Sequence, residues 1–490
     1  MVETSQAVAT AAGRPRTLRS LLADSVVFGF ALAAAPVALV VATPIVAREL
    51  GAAQLGVVDL LTALSTSLAV IALAGLDSAA ARSYFDYDDT PRRVVVLRTA
   101  LAAGLIAAAI FAALAMIAVL VFVAASARPI QRDYAVAGLI AFLLIPLANG
   151  QVLARARLLF ERRRGPYVAA GLLHGLLGVA AAVAFVLAGA GPAGYFAGLC
   201  LGALASLAFS ARAGRLLEPR TTWIDRPELR RMIRYGLPIV PGSLAIWAVF
   251  AIDRTLLASL RGVADAGYYG LASRVSAPLV LAVSAFAVAW GPFIIDQTPA
   301  RRLDLRARAL TMVSAGTGAG FVALVAFAEP LVRLAGGSEY VVNDAHHAVP
   351  GIALGWVGWG AATVLSAEFI VVRKTHVVAI ATIAAAVANV GLNLVLIPPF
   401  GFVGAAWATA ASFLLLAAIY WAWERRLAPA PYRPFRLVVV AGTLGVGSLV
   451  LIGWVDEKAW VERLVVALVA MVILGATAAT DRTSADGGAR

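Results

Sequence analysis

The segment that decides the fold is RMIRYGLPIVPGSLAIWAVFAIDRTLLASLRGVADAGYYGLASRVSAPLVLAVSAFAVAWGPFIID, residues 231–296. It contains two apolar runs, 236–259 and 267–295, separated by a short turn that contains glycine. Each run is long enough to cross the hydrocarbon core of a bilayer as a helix. The second run is longer than the core is thick, so we expect it to tilt, to kink at Pro278 or to project beyond the membrane.

The rest of the chain has the same apolar character. Of its 490 residues, 62% are hydrophobic and 14% are charged, and the mean hydropathy is +0.89. A soluble domain is usually nearer half apolar and a quarter charged. The many long apolar runs therefore predict an all-α polytopic membrane protein with about 14 transmembrane helices.

The basic residues support this topology because they alternate between loops. Thirty-one of the 40 lysine and arginine residues lie in loops on one side of the predicted membrane, against seven on the other. An excess of basic residues marks the cytoplasmic side, so we expect both termini, including the polar tails 1–19 and 481–490, in the cytoplasm. Membrane orientation thus explains the net charge of +13, and we expect no nucleic-acid partner.

Landmarks in the sequence recur at a constant distance. Gly56 and Gly267 follow similar turns and lie 211 residues apart, and Gly191 and Gly401 lie 210 apart. This spacing predicts the duplication of a six-helix unit, which gives two parallel lobes because six is even. The predicted division of the chain is an N-lobe (20–215), a cytoplasmic linker (216–235), a C-lobe (236–424), and two further helices (425–480).

The sequence contains no constellation typical of an enzyme. Its four histidines are not spaced as metal ligands on one helix face, and we interpret the pair His346-His347 as solvated loop residues. No nucleotide-binding motif is present. We therefore predict a protein that is not an enzyme and that has no cofactor.

Charged residues within the apolar runs are the candidates for function, because charge in hydrocarbon is costly. Arg254 and Arg274 lie in the outer half of the two runs of the segment 231–296, and Arg48 ends the first helix at the same level. Arg82 lies near the inner end of the second helix. The alternative is that these long side chains simply reach the interface, although Arg274 is surrounded by small residues that suit a cavity wall.

Three embedded aspartates are the other candidates: Asp59, Asp77 and Asp253. Each can neutralise an arginine or carry a coupling proton, and we favour the ion-pair interpretation. Because Asp253 and the adjacent Arg254 point in different directions on a helix, we expect the partner of Asp253 to come from elsewhere.

Several of these residues lie in short motifs: Ala47-Arg48-Glu-Leu-Gly51, Gly236-Leu-Pro-Ile-Val-Pro-Gly242, Asp253-Arg254, Gly267-Tyr-Tyr269 and Ala289-Trp-Gly-Pro-Phe293. With these motifs and the predicted topology, the chain resembles the multidrug/oligosaccharidyl-lipid/polysaccharide exporter superfamily. The resemblance is to its polysaccharide (O-antigen type) flippase branch in particular.

The resemblance implies that undecaprenyl-diphosphate-linked oligosaccharide moves from the inner to the outer leaflet of the plasma membrane by alternating access. Arg48, Arg254 and Arg274 would then hold the diphosphate, with Arg82 a weaker candidate near the cytoplasmic entrance. The implied partners are the lipid-linked substrate and membrane lipids, and a polysaccharide polymerase is a further candidate.

Three alternatives are left open. A proton- or sodium-coupled multidrug antiporter of the same superfamily would use Asp59, Asp77 or Asp253 as its ion site. A lipid II flippase would use the same arginines for another lipid-linked substrate. A membrane scaffold without transport would have its arginines paired and no water-filled cavity.

Overall fold

The computed structural model describes residues 18–125, 131–217, 223–295, 297–372, 374–427, 429–453 and 459–486. Of the predicted tails 1–19 and 481–490, residues 1–17 and 487–490 lie outside the described residues. The first nine helices are α1 (Leu18–Leu73), α2 (Leu76–Phe85), α3 (Thr90–Ala125), α4 (Gln131–Phe142), α5 (Leu144–Phe160), α6 (Arg164–Leu172), α7 (Gly178–Leu187), α8 (Gly191–Ala213) and α9 (Arg226–Gly236). A π-helical turn, Leu173–Leu177, joins α6 to α7.

The second half of the chain is built in the same way, and helices are the only regular elements among the described residues. Its helices are α10 (Val240–Leu260), α11 (Val263–Val275), α12 (Ala277–Ile295), α13 (Pro299–Ala326), α14 (Ala328–Gly336), α15 (Ser338–Val342), α16 (Val349–Val371), α17 (Thr375–Leu427), α18 (Pro434–Gly453) and α19 (Trp460–Asp486). Two short 3₁₀ turns, Leu237–Ile239 and Ala345–Ala348, precede α10 and α16.

The two longest helices each consist of two helices that meet at a kink. A straight helix of 56 residues, the length of α1, would be about 84 Å long, far more than a bilayer core of about 30 Å. α1 is broken at Gly51 (φ 67°, ψ 175°), and α17 is broken at Gly401 (φ 54°, ψ −136°). Glycine adopts such positive φ angles without the steric cost of a Cβ atom.

The predicted fold class, an all-α polytopic membrane protein, is confirmed. Among the described residues, ten helices are long and apolar enough to cross a membrane, or eleven if the bent pair α11–α12 is one span. Two of the ten contain the kinks at Gly51 and Gly401. The number of fourteen separate crossings stays a prediction.

Of the three outcomes expected for the second run of the segment 231–296, the structure shows a bend, close to the predicted Pro278. α11 and the following helix meet at 56°, and Ser276 separates them two residues before Pro278. The first run begins later than predicted, because Gly236 ends the amphipathic helix α9. The side chain of Asp225 accepts a hydrogen bond from the Glu228 amide and so caps that helix.

The inter-helix turns collect at two ends of the bundle. At one end, Gly401 lies against Asp265, Gly191 against Gln54, and Gly337 against Arg48. We call this the glycine end, because its turns contain Gly51, Gly191, Gly262, Gly337 and Gly401, all with positive φ. The opposite end, which we call the arginine end, contains the segments 74–92, 157–164, 213–217, 223–236, 302–306, 424–427 and 429–432.

The predicted lobes touch where two glycines of the repeat meet. An ideal Cβ on Gly56 would lie 1.7 Å from the carbonyl oxygen of Val263, and one on Gly267 would lie 1.9 Å from that of Ala52. Only residues without a side chain allow α1 and α11 to approach this closely. The recurrent glycines that predicted the duplication are therefore also the place where α1 and α11 approach most closely. The duplication and the boundaries of the lobes stay predictions.

Candidate functional site

An ion pair joins the second part of α1 to α11 near this crossing. Nη2 and Nη1 of Arg274 lie 2.6 Å and 3.0 Å from the two carboxylate oxygens of Asp59, so the pair is bidentate. The side chains of Arg274 and Asp59 are 21% and 8% exposed. Of the two interpretations of Asp59 made from the sequence, the geometry is that of a charge partner, and its arginine comes from the other predicted lobe.

Gly270 provides the space for the Asp59 carboxylate. An ideal Cβ at this position would lie 1.4 Å from Oδ2 of Asp59, so any side chain there would displace the carboxylate. Since Gly270 precedes Arg274 by four residues, both lie on the same face of α11. One helix face thus supplies both the guanidinium and the gap into which its partner fits.

Asp253 on α10 has a very different environment, although it is also buried, with 1% exposure. Its oxygens accept hydrogen bonds from the Tyr269 hydroxyl (2.7 Å), the Asn393 amide (2.7 Å) and the Thr409 hydroxyl (2.5 Å). We call Asp253, Tyr269, Asn393 and Thr409 the Asp253 cluster. These three donors are neutral, and two of them lie on either side of the kink in α17.

The Asp253 cluster and the neighbouring Asn389 bring several polar groups together, and two of them, Oδ1 of Asn393 and Nδ2 of Asn389, have no hydrogen-bond partner among the described residues. Oδ1 of Asn389 lies 3.2 Å from the Asn393 amide nitrogen. Carboxylate, amide and hydroxyl oxygens are the ligands that hard cations prefer. The arrangement can therefore accept a proton on Asp253 or hold a small cation.

Arg254 and Arg48 lie near this region but are not part of the ion pair. The guanidinium of Arg254 lies 5.3 Å from the ring centroid of Tyr269, so it contacts the Asp253 cluster through a cation–π interaction. Arg48 is exposed at the glycine end and donates a hydrogen bond to the carbonyl oxygen of Leu334. The hydrogen-bond donors to Asp253 lie on α11 and α17 rather than on its own helix.

Arg82 belongs to a separate pocket at the arginine end. A cavity of about 310 Å³ is lined by Arg82 on α2 and by Arg231 and Arg234 on α9. Arg82 stacks over the Tyr235 ring at 4.8 Å, and Arg231 lies 3.8 Å from Asp86. We call these residues the arginine pocket. Three guanidinium groups around one cavity with a single carboxylate give it a net positive charge.

Asp77 was predicted to be embedded, but the structure places it on the surface. It is exposed in the first turn of α2, after a break in the helix at Ala74 and Gly75. The ideal Cβ of Gly75 would lie 2.5 Å from the carbonyl oxygen of Gly236, so the break lets α2 turn across the start of the second predicted lobe.

A buried charge network at the arginine end was missed by the sequence analysis, apart from noting Glu368. Arg306, which is fully buried, forms ion pairs with Glu368 (2.9 Å) and Glu424 (3.0 Å), and Tyr432 donates a hydrogen bond to Glu424. It joins α13, α16 and α17 to the segment before α18. The signal in the sequence was an acidic residue within the last four positions of each of two apolar helices.

The Asp253 cluster was also missed except for its aspartate. Asn389 and Asn393 are four residues apart in an otherwise apolar run, so they lie on one helix face. Buried amides in hydrocarbon need partners, and their spacing was the available signal for a polar site on α17.

Comparison with known families supports the same architecture. A family model described as "Polysaccharide biosynthesis protein" matches residues 25–297, more than half of the chain. The chain belongs to the polysaccharide biosynthesis protein family. A second model, MatE, matches residues 238–395 of this family member, which is therefore part of the multidrug/oligosaccharidyl-lipid/polysaccharide superfamily. No curated protein matches significantly.

Solved structures share the fold of this polysaccharide biosynthesis family member. The lipid II flippase MurJ in an inward closed conformation has a TM-score of 0.73 at 12% identity, with 92% of this chain and 98% of that chain covered. An inward-facing multidrug resistance MATE family transporter has a TM-score of 0.54 at 16% identity over 86% and 96%. A superfamily transporter from Pyrococcus furiosus has 0.56 at 17% over 82% and 94%.

Proposed function

We propose that the chain translocates undecaprenyl-diphosphate-linked oligosaccharide from the inner to the outer leaflet of the plasma membrane. Membership of the polysaccharide biosynthesis family makes it a transporter or flippase of this superfamily. The observation that favours an anionic lipid-linked substrate is the arginine pocket, since guanidinium groups bind phosphate oxygens through paired, charge-assisted hydrogen bonds. The predicted orientation puts this pocket on the cytoplasmic side, where such a substrate is made.

Capture of the diphosphate is assigned to the arginine pocket. Arg231 and Arg234 lie on α9, whose basic and apolar residues suit a helix in the headgroup region of an anionic leaflet. Its exposed Ile233 and Tyr235 support contact with lipid. A lipid headgroup that diffuses in the leaflet therefore meets the three guanidinium groups at the depth where phosphate lies.

Release at the glycine end is assigned to Arg48, Arg254 and Arg274. In the described state Arg274 is paired with Asp59, so it binds diphosphate only when that carboxylate is displaced. Substrate binding and separation of α1 from α11 are then linked. This competition makes the Asp59–Arg274 pair the gate of the glycine end in our proposal.

The moving units are proposed to be the N-lobe, 20–215, and the C-lobe, 236–424. The repeated glycines support this division, because Gly51 and Gly262, 211 residues apart, share a positive φ with extended ψ. Gly191 and Gly401 share a φ of 54°. Matching turns at matching places are expected of duplicated lobes that open alternately.

Coupling to an ion gradient is assigned to the Asp253 cluster. Of the three aspartates proposed for this role, Asp59 is in an ion pair and Asp77 is exposed. Asp253 is buried and its hydrogen-bond donors are neutral, with Arg254 nearby rather than in a bidentate pair, so a proton or a monovalent cation can change its charge. A gradient of that ion would then drive the exchange between the two states.

The direct test is translocation in vesicles that contain only the purified protein. A fluorescent undecaprenyl-diphosphate-linked oligosaccharide is quenched from one side by a reagent that does not cross the membrane. With the native chain, we expect the fluorescent lipid in the protected leaflet to become accessible to the quencher rapidly. With Arg254→Ala/Arg274→Ala, we expect it to become accessible only at the rate of vesicles without protein. The control is Arg333→Ala, an exposed arginine of the glycine end paired with Glu329. Native rates in the double variant would contradict the assignment.

A cation-coupled drug antiporter is the second candidate, favoured by the MatE match over 238–395, which includes Asp253. It predicts uptake of a cationic dye by the same vesicles under an ion gradient, without movement of the lipid-linked sugar. The third candidate is a lipid II flippase, as the structure of MurJ is described. It predicts that the same vesicles translocate lipid II when it replaces the lipid-linked oligosaccharide.

A further inference from the structure

A turn at the glycine end brings together three side chains that can bind a metal. It lies between α15 and α16 and contains Asp344, His346 and His347. One ligand atom of each residue lies within 4.8 Å of those of the other two. The sequence suggested solvated loop histidines, because neither the role of Asp344 nor the conformation of the turn was apparent from it.

The backbone explains why the three side chains converge. Asp344 adopts a left-handed conformation, with φ 59° and ψ 24°, and its carbonyl oxygen accepts a hydrogen bond of 3.0 Å from the His347 amide. The 3₁₀ turn Ala345–Ala348 then places the two imidazole rings with their centroids 4.2 Å apart. His346 is 6% exposed, while the other two are exposed.

The donor set selects a class of metal. Two imidazole nitrogens and one carboxylate oxygen suit Zn²⁺ and its neighbours Ni²⁺ and Cu²⁺, whereas Mg²⁺ and Ca²⁺ prefer oxygen ligands only. Tetrahedral zinc with ligands at about 2.0 Å needs donor atoms about 3.3 Å apart. Rotation of the exposed Asp344 and His347 side chains closes the remaining gap, and three protein ligands leave one position for water.

We propose that Asp344, His346 and His347 form a binding site for a divalent transition metal of the zinc class. The turn packs against α11, α14, α16 and α17. The neighbouring helix α15 carries Glu339, which accepts a hydrogen bond from the Ala52 amide at the kink of α1. A metal ion bound to this turn would therefore fix a segment that contacts the second predicted lobe directly and the kink of α1 through α15.

The test uses the purified full chain in detergent, carrying a purification tag that contains no histidine, and Zn²⁺ alone. Retained zinc is measured by mass spectrometry after gel filtration, and affinity by isothermal titration. We expect one ion per chain and a loss of affinity of about tenfold or more in His347→Ala and in Asp344→Asn. Both residues are exposed, so neither variant disturbs the core.

The matched control is His376→Ala, which removes an exposed histidine at the opposite end of the bundle and should retain full binding. The proposal is overturned if the native chain retains no zinc. It is also overturned if His347→Ala and Asp344→Asn bind as the native chain does, or if His376→Ala loses as much affinity as they do. A folding check by thermal unfolding of each variant confirms that the comparison is made on folded protein.

Discussion

Asp59 and Asp253 are both buried carboxylates, with 6% and 1% exposure, but they are stabilised in opposite ways. Asp59 faces a guanidinium that comes from the other predicted lobe, and two short hydrogen bonds join them. Asp253 accepts hydrogen bonds from neutral hydroxyl and amide donors on helices α11 and α17, and Arg254 lies nearby over the Tyr269 ring. One carboxylate is held by a bidentate ion pair, and the other by hydrogen bonds from neutral groups.

The difference separates two tasks of a transporter. A buried ion pair between moving parts depends on their relative position, and its loss leaves an uncompensated charge. A buried carboxylate among neutral donors remains in place when the lobes move, but its charge changes when a proton or cation binds. We therefore assign Asp59 to the gate and Asp253 to coupling, and each of the following changes tests that assignment.

The largest effect is expected for Asp253→Asn, which removes the charge and keeps the size of the side chain. Transport driven by an ion gradient should fall to the background of empty vesicles, because the site can no longer exchange an ion. Its unfolding free energy should change by only about 1 kcal/mol, since the neutral amide still takes part in hydrogen bonds. Gradient-driven transport and thermal unfolding are measured on the same preparation.

A loss of stability without a loss of transport would contradict the assignment of Asp253 to coupling. If Asp253→Asn unfolds the protein while transport per folded molecule persists, Asp253 has a structural role only. Its control is Glu329→Gln, which neutralises a carboxylate paired with an exposed arginine and should leave transport unchanged.

A smaller effect, on stability, is expected for Arg274→Gln. It leaves Asp59 as a buried charge without its guanidinium and should lower the unfolding free energy by about 3 kcal/mol. The double variant Asp59→Asn/Arg274→Gln should recover most of this loss, because neither buried group is then charged. Chemical denaturation of the four proteins of this cycle gives the coupling energy, and additive losses would show that the pair is not an interacting unit.

Gly270→Ala tests the same pair without changing either charged residue. The new methyl group would overlap Oδ2 of Asp59, so the carboxylate must move away from Arg274. We expect a loss of about 2 kcal/mol in the unfolding free energy. Gly445→Ala in α18 is the control, because its new Cβ atom meets no other atom within 4 Å and alanine favours a helix. Equal behaviour of the two variants would contradict the described contact.

The smallest effect is expected in the arginine pocket, where the charges are exposed. Arg231→Gln and Arg234→Gln should each weaken binding of the lipid-linked diphosphate by about threefold and make it less sensitive to salt, because screened surface charges contribute little individually. Binding is measured with vesicles of fixed lipid composition at low and high salt. A loss as large as that of a buried charge would mean that the pocket closes around the headgroup.

The sequence predicted those features that depend on residue type and order. Long apolar runs and alternating arginines indicated a polytopic helical membrane protein, and a 211-residue spacing indicated that Gly56 and Gly267 are equivalent. Pairing in three dimensions was not predictable in the same way. Asp59 and Arg274 are 215 residues apart, and only the close crossing of two glycine-bearing helices brings them together.

Residues whose neighbours in the sequence are unremarkable were also missed, because their partners are brought to them only by the fold. Thr409 is one of many threonines in apolar helices, and its hydroxyl matters because the kink at Gly401 returns it to Asp253. Asp77 is exposed in the first turn of α2, after a break at Ala74 and Gly75 that the residue pattern did not reveal. Local pattern predicts helices well, but kinks decide which polar groups meet.

We propose above all that the Asp59–Arg274 pair holds the glycine end closed and that transport requires this end to open. Its most direct test is the distance between spin labels at Ala53→Cys and Ser338→Cys, two exposed positions on α1 and α15, with the native Cys200 replaced by alanine. Double electron–electron resonance should give one short distance in the native background and an added longer distance in Arg274→Gln or on addition of the lipid-linked substrate. A single unchanged distance under all three conditions would contradict the account.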